Sequence, residues 1–263
     1  MRGPASLDVL FVGDIVGRPG RDALASYLGA GQEGGEPDLV IANGENAAGG
    51  FGLTEPVFQD LRDQGVDVVT MGNHTWDKNE IFGFIQDEPR IVRPLNYAVG
   101  TPGRGWTVVE ASGVPVAVIN VMGRAFMPTV DCPFRALDQA IAQLDGVAQV
   151  IVVDIHAEAT AEKIALARYV DGRVSACLGT HTHVQTADEG IFPGGTAFLS
   201  DVGMTGPRDA VIGMRTDLAI RKMMTSVPTR LEVAQGPTQF NAARLRIDAR
   251  SGKALAIQRL NYR

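Results

Sequence analysis

The sequence predicts an α/β fold with a layered sheet core, and three observations lead there. Short apolar runs recur along the chain, each closed by Gly, Asn, Asp or His. Segments of helical periodicity separate most of them, and two late strand-like runs flank a turn. Strands alternating with helices build parallel sheet in the βαβ manner, and a closing hairpin adds antiparallel strands, so the sheet is expected to be mixed.

Leu7 to Val12 reads as the first strand, stopped by Gly13-Asp14, and Arg18 to Leu28 as the helix after it. Leu39 to Ala42, Val66 to Met71, Val116 to Val121, Val150 to Ile155 and Val174 to Leu178 follow as strands. Each is a short, predominantly apolar run without regular polar alternation, the pattern of a strand covered on both faces. Thr54 to Gln64, Phe134 to Leu144 and Ala159 to Val170 place apolar residues at helical spacing between them. Phe240 to Ile247 and Ala254 to Leu260 enclose Asp248-Ala249-Arg250-Ser251-Gly252-Lys253, an antiparallel pair joined by a turn. No repeat, low-complexity tract or linker-like break interrupts the chain, so residues 1–263 are expected to form a single domain.

Charge narrows the function. The 263 residues carry 24 Lys+Arg against 30 Asp+Glu, a net charge of −6. That balance argues against coating a nucleic-acid backbone or an anionic membrane, and stable nucleic-acid binding is not expected. From Arg244 to Arg263 six basic residues oppose Asp248 alone, a local charge of +5, which reads as a solvated hairpin face balancing acid elsewhere. Cys132 and Cys177 form no CxxC spacing or disulfide framework and read as buried thiols in a reducing compartment. The longest apolar run near the N-terminus is Val9 to Val12, and nowhere does one approach the ~20 residues a spanning helix needs. A cytoplasmic protein without a membrane partner is expected.

The chemistry gathers at strand ends. His74, His156, His181 and His183 are the four histidines, and each follows a predicted strand in a polar setting. In α/β sheets, ligands bind beyond the C-terminal strand ends, where distant segments deliver side chains to one place. Asp14 ends the first strand, and Glu45 and Asn46 follow the second. Alone, Gly13-Asp14 reads as a helix cap, Gly44-Glu45-Asn46 as a turn and His156 as a hydrogen-bonded structural histidine. Together they form a metal-ligand inventory. Imidazole, carboxylate and amide oxygen without thiolate suit Fe, Mn, Zn or Co better than Mg or Ca. His181-Thr182-His183, if extended, turns two imidazoles to one side, and Gly179 before it permits close backbone approach. Asn73 seldom ligates metals outside a few hydrolase sites, and His74 beside it can reach a leaving group. The candidates exceed the needs of one ion; two ions about 3.5–4 Å apart, bridged by a carboxylate and a water, form a phosphoester-hydrolysing site.

At these residues the chain resembles a calcineurin-like metallophosphoesterase, with Gly13-Asp14, Gly72-Asn73-His74, His156 and Gly179-Thr180-His181-Thr182-His183 in that family's order. More narrowly it resembles the YmdB-like bacterial phosphodiesterase branch, whose blocks match residues 13–21, 42–50, 72–77 and 179–188, with Asp201 to Pro207 fitting as well. The wider superfamily's Asp-x-His is here Asp14-Ile15-Val16, and its bridging Gly-Asp is Gly44-Glu45; the branch shares both departures. The resemblance implies a four-layer α/β/β/α sandwich with mixed sheets. It also implies one metal held by Asp14, Glu45, Asn46 and His183, and a second by Glu45, Asn73, His156 and His181, with Glu45 bridging. Iron is the implied metal and manganese its substitute. The implied activity is phosphodiester hydrolysis of cyclic nucleotides, 2′,3′-cyclic ones in particular, by a hydroxide bridging the metals with His74 as proton donor. A phosphomonoesterase, a broad-specificity phosphodiesterase and a regulatory protein sensing nucleotides at the metal site are the alternatives.

Some features stay open at this level. Ala47 to Gly52 and Gly203 to Gly213 read as mobile Gly-rich loops, and Trp76 either stacks on a base or packs. The late hairpin could contribute to a homo-oligomer, though no subunit number follows.

Overall fold

The computed structural model describes residues 4–31 and 34–263. The chain opens with β1 (Ser6–Val12), β2 (Asp14–Ile15) and α1 (Gly17–Gly29), then β3 (Leu39–Asn43), α2 (Glu55–Asp63), β4 (Val68–Thr70) and β5 (Ile91–Val92). The middle holds β6 (Trp106–Ala111), β7 (Val114–Met122), α3 (Pro133–Leu144), β8 (Val150–His156), α4 (Thr160–Tyr169) and β9 (Ala176–Thr180). It closes with β10 (Gly190–Ile191), β11 (Ala197–Leu199), β12 (Met204–Pro207), α5 (Thr216–Thr225), β13 (Thr238–Asp248) and β14 (Ala254–Tyr262).

Two mixed sheets result. One runs β2-β12-β13-β1-β3-β4-β5, with β14 also paired to β13; the other runs β10-β11-β9-β8-β7-β6. Three apolar layers separate four structural ones. Leu7, Val9 and Phe11 of β1 meet Val116, Val118, Val150 and Val152 of β7 and β8 between the sheets. On the opposite face of β1, Leu10 and Val12 pack with Leu24 of α1 and with Phe58 and Leu61 of α2. Beyond the second sheet, Ala117 and Ile119 pack with Leu137 and Leu144 of α3 and Leu166 of α4. Predominantly apolar runs are needed because each strand buries both faces, and each fully buried Val, Leu or Phe side chain is worth about 1.5–3 kcal/mol. The four-layer α/β/β/α arrangement is therefore the fold observed.

Local chemistry sets several helix ends. Pro56 and Pro133 sit in the first turns of α2 and α3, where a missing N–H costs nothing, and Glu55 and Arg62 lie at the dipole ends that suit their charges. The late hairpin forms as expected, β13 pairing antiparallel with both β14 and β1. Two of its six basic residues meet acids elsewhere: Arg244 bonds Asp8 at 2.9 Å and Arg259 meets Glu189 at 3.4 Å.

Four expectations need correction. The strand placed at Val174 to Leu178 runs instead from Ala176 to Thr180, because Val174 closes a turn with Asp171. The one placed at Val66 to Met71 shortens to β4. Gly203 to Gly213 is not simply loop: Met204–Pro207 is buried strand, paired with β2 and β13. Cys177 is buried, but Cys132 is only half-buried, since it stands at the surface entrance to α3. No helix among the described residues is long and apolar enough to cross a membrane.

Candidate metal centre

Parallel strands β1, β3 and β4 of the first sheet and β8 and β9 of the second end at one place, and every residue singled out for metal binding is there. Asp14 follows β1, held by a bond from its N–H to the Gly203 carbonyl at 3.0 Å. Glu45 and Asn46 lie in the turn after β3, where Asn43 Oδ1 accepts from the Glu45 N–H at 3.2 Å. Asn73 and His74 follow β4, His156 is the last residue of β8, and His181 and His183 follow β9.

The geometry divides these residues into two overlapping sets. Ligand atoms of Glu45, His156 and His181 all lie within 4.8 Å of one another. Asn73 Oδ1 joins them 2.9 Å from His156 Nε2. Beside this group, His183 Nε2 lies 3.2 Å from the Asn46 amide and 3.7 Å from Asp14 Oδ1. Gly72 makes the crowding possible, since a Cβ there would run into the His156 ring and the Glu45 carboxylate.

Each imidazole is fixed from its far side. The Thr180 hydroxyl lies 2.8 Å from His156 Nδ1 and donates to Asp154 at 2.7 Å, so it accepts from Nδ1–H and leaves Nε2 facing the cluster. His183 Nδ1 donates to the Ile212 carbonyl at 3.0 Å, which leaves its Nε2 toward Asn46 and Asp14. His181 Nε2 faces Glu158 at 3.3 Å, leaving Nδ1 toward His156. The His156 and His183 tautomers follow from the hydrogen-bond network, and an outward N–H with an inward lone pair is how histidine meets a metal.

The donor set fits cations. Asp14 Oδ1 and Glu45 Oε1 are buried carboxylate oxygens without a hydrogen bond. Glu45 Oε1 lies 3.0 Å from His156 Nε2, close enough for an ion pair but without hydrogen-bond alignment. His181 Nδ1 stands 3.1 Å from His156 Nε2, so with both rings neutral two lone pairs face each other with no proton to share. Such a collection is costly unless positive charge enters it.

Protonation follows the same logic. Burial pushes Asp14 up, with nearby histidines opposing. Burial would raise Glu45 too, but the charge of His156, with help from the charge of His74 and the bond from its backbone N–H, brings it down to about 2. For His156 burial works downward, yet Glu45, Asp14 and Asp154 lift it to about 9. His181, desolvated and beside His156, falls to about 3.

His74 stands apart from the ligands at the rim of a 580 Å³ cavity shared with Phe51, His181, Ile212, Met223 and Leu231. Its Nδ1 lies 2.8 Å from Asp77 Oδ2, and its N–H donates to Glu45 Oε2 at 2.9 Å. Trp76 packs, stacking on Phe82 with ring centroids 5.1 Å apart.

The His181-Thr182-His183 segment departs from expectation. It is not extended: both histidines have left-handed backbone, with φ of 98° and 65°. Only this turn sends the imidazoles to neighbouring positions in the cluster. Holding it is the Asp201 carboxylate, which accepts from the Thr182 N–H at 3.1 Å, its hydroxyl at 2.8 Å and the Gly203 N–H at 2.8 Å. Lys163 of α4, itself buried, pairs with Asp201 at 2.7 Å. Sequence reasoning missed Lys163, because a lysine in a helical segment reads as solvated. It missed Asp77 as well, although the spacing His74-x-x-Asp77 carried that signal.

The model of the YmdB-like protein family matches residues 10–260. A 2′,3′-cyclic-nucleotide 2′-phosphodiesterase of Bacillus subtilis is 50% identical over 252 residues, 96% of each chain. A crystal structure of a Thermus thermophilus protein is similar at 43% identity and a TM-score of 0.91, over 97% of this chain and 99% of that one. A novel phosphatase from Mycoplasma pneumoniae superimposes with a TM-score of 0.92 at 32% identity, covering 99% of this chain and 94% of its own.

Proposed function

This chain belongs to the YmdB-like family, and on that premise we propose that it is a metal-dependent phosphodiesterase hydrolysing 2′,3′-cyclic nucleotides. The whole chain serves as one domain around the site and works in the cytoplasm. One observation carries the reading: two buried carboxylate oxygens without hydrogen bonds face three imidazoles, each secured from its far side. Asp14, Asn46 and His183 would hold one ion, Asn73, His156 and His181 a second, and Glu45 would serve both. Iron, with manganese as substitute, would supply positive charge for the phosphoryl oxygens and bring the pKa of a bound water toward neutrality.

The remaining work falls to the protein's side chains. Asp77 accepts from His74 Nδ1–H and orients the ring, so Nε2 can deliver a proton to the ribose 2′-oxygen. As the new bond from water oxygen to phosphorus forms, the bond from phosphorus to O2′ breaks, leaving a 3′-monophosphate and a free 2′-hydroxyl. The bond from the His74 N–H to Glu45 Oε2 ties this donor to the metal centre, so proton source and phosphorus keep a fixed relation. Phe51, Ile212, Met223 and Leu231 give the nucleoside an apolar wall.

The test is 2′,3′-cyclic AMP hydrolysis by protein reconstituted with Fe(II) or Mn(II). His74→Ala should lower kcat by about 10²- to 10⁴-fold with metal content unchanged. Glu45→Gln should lose both metal and turnover. Wild-type protein that holds two metals and leaves the substrate intact would overturn the proposal.

A further inference from the structure

Beside the metal centre lies a second cavity of 930 Å³, which shares Phe51, Lys222 and Leu231 with the first. Its wall carries Arg18, Lys78, Lys222 and Arg230 against two acids, Asp77 and Glu232. Both acids are already engaged, Asp77 by His74 at 2.8 Å and Glu232 by Arg215 at 2.8 Å. Arg18 faces Asp22 at 3.7 Å. Among the described residues, Lys78, Lys222 and Arg230 take part in no ion pair. In a chain of net charge −6, three unpaired cations around one trench form a local field that draws an anion with more than one charge.

The chemistry of the substrate suggests which anion. A 2′,3′-cyclic phosphate arises when a ribose 2′-hydroxyl attacks the adjoining 3′-phosphodiester and expels the 5′-oxygen of the next nucleotide. It is therefore formed at the 3′ end of a cut RNA strand. A single nucleotide would fit within the 580 Å³ cavity and need nothing from the trench. A strand whose terminal cyclic phosphate occupies the metal centre has to lead its preceding phosphates away, and the trench is a cationic path opening from the same cavity.

We propose that the substrates include short oligoribonucleotides ending in a 2′,3′-cyclic phosphate, with Lys78, Lys222 and Arg230 holding the phosphates upstream of the end. This rests on the cyclic-phosphodiesterase reading above. The reaction is the same at the terminus: water adds to phosphorus, the bond to O2′ breaks, O2′ gains a proton, and the strand keeps a 3′-phosphate with its internal linkages intact. Overall negative charge confines binding to those few phosphates, so the contact is short and sensitive to salt.

The metal-loaded protein should be compared on 2′,3′-cyclic AMP and on a tetra-adenylate ending in a 2′,3′-cyclic phosphate. We expect kcat/KM to favour the tetranucleotide by about tenfold or more at low salt, with that preference shrinking of order tenfold from about 50 to about 200 mM salt. Lys78→Ala/Arg230→Ala should erase the preference through KM and leave cyclic AMP turnover unchanged. Arg230→Glu, at an exposed position, should weaken the tetranucleotide alone and guards against misfolding of the double variant. A tetranucleotide no better than cyclic AMP, or a preference untouched by both variants, overturns the trench while leaving the mononucleotide activity standing. Variants that lose cyclic AMP turnover equally also overturn it, because the trench is then no separate subsite. If neither substrate is hydrolysed, the phosphodiesterase reading itself fails.

Discussion

His156 and the pair His181 and His183 reach the same metal centre by opposite routes. His156 ends a regular parallel strand, paired through β8 with Met122 on one side and Thr180 on the other. Sheet register places its ring, and the Thr180 hydroxyl aligns it. His181 and His183 instead leave their strand in left-handed backbone, which costs non-glycine residues roughly 1–2 kcal/mol each. That cost persists only where neighbours over-determine the turn, and Asp201 with Lys163 does so. A ligand on regular sheet is positioned by the fold at large, whereas a ligand on a strained turn depends on one buried ion pair several residues away.

The largest expected effect breaks the second route. Lys163→Met should leave the Asp201 carboxylate buried without its partner and cost about 3–5 kcal/mol in urea unfolding. Metal affinity measured by calorimetry should fall with it. Unchanged stability and affinity would mean that the turn holds itself. A smaller effect probes the first route: Thr180→Val removes the hydroxyl that receives His156 Nδ1–H and should weaken metal binding by about 10- to 100-fold while leaving the sheet paired. Equal affinity in that variant would show that strand register alone orients the ring.

The mildest test sharpens the comparison through pH. In the metal-free protein, burial works against the His156 charge, but Glu45, Asp14 and Asp154 raise the group to about 9, above the ~6.5 of an unfolded chain. Its contribution to metal-free stability is therefore complete below about pH 6.5 and lost as pH rises through about 9. A metal must displace that proton, so affinity should climb by about tenfold per pH unit toward 9 and then level off. His181, held down to about 3, should add no such slope above pH 5. Affinity flat between pH 6 and 8 would remove His156 as the proton that competes with the metal.

The parts of the fold that are legible in the sequence are those whose stability is local or plainly hydrophobic. β1, β3, β7 and β8 are predominantly apolar runs, and the Asp, Asn and His residues at their ends converge because parallel strands share a direction. Met204–Pro207 carries no such signal, since Gly-Met-Thr-Gly-Pro has little strand character and is held by partners far away in sequence, Asp14 and Gln239 among them. α5 escapes a sequence reading because Ala219 is its only buried residue while Ile220, Met223 and Met224 face outward, so its pattern does not mark a core-facing helix. The turn at His181 reads as extended because backbone handedness is set there by Asp201, and no spacing rule carries that contact.

The placement of β13 has a consequence for how the protein is made. This strand lies between β12 and β1, pairs residue by residue with Ser6–Val12, and offers the Asn241 carbonyl to the Gly13 N–H at 3.0 Å. Asp14 is thus presented by a segment whose neighbour is translated more than two hundred residues later. While the ribosome is still elongating, β1 can associate with β3 but lacks its other flank. The flank that presents Asp14 is then completed only when the hairpin emerges, so premature termination should yield chains that carry every ligand in sequence but leave the Asp14 side of the site unsupported.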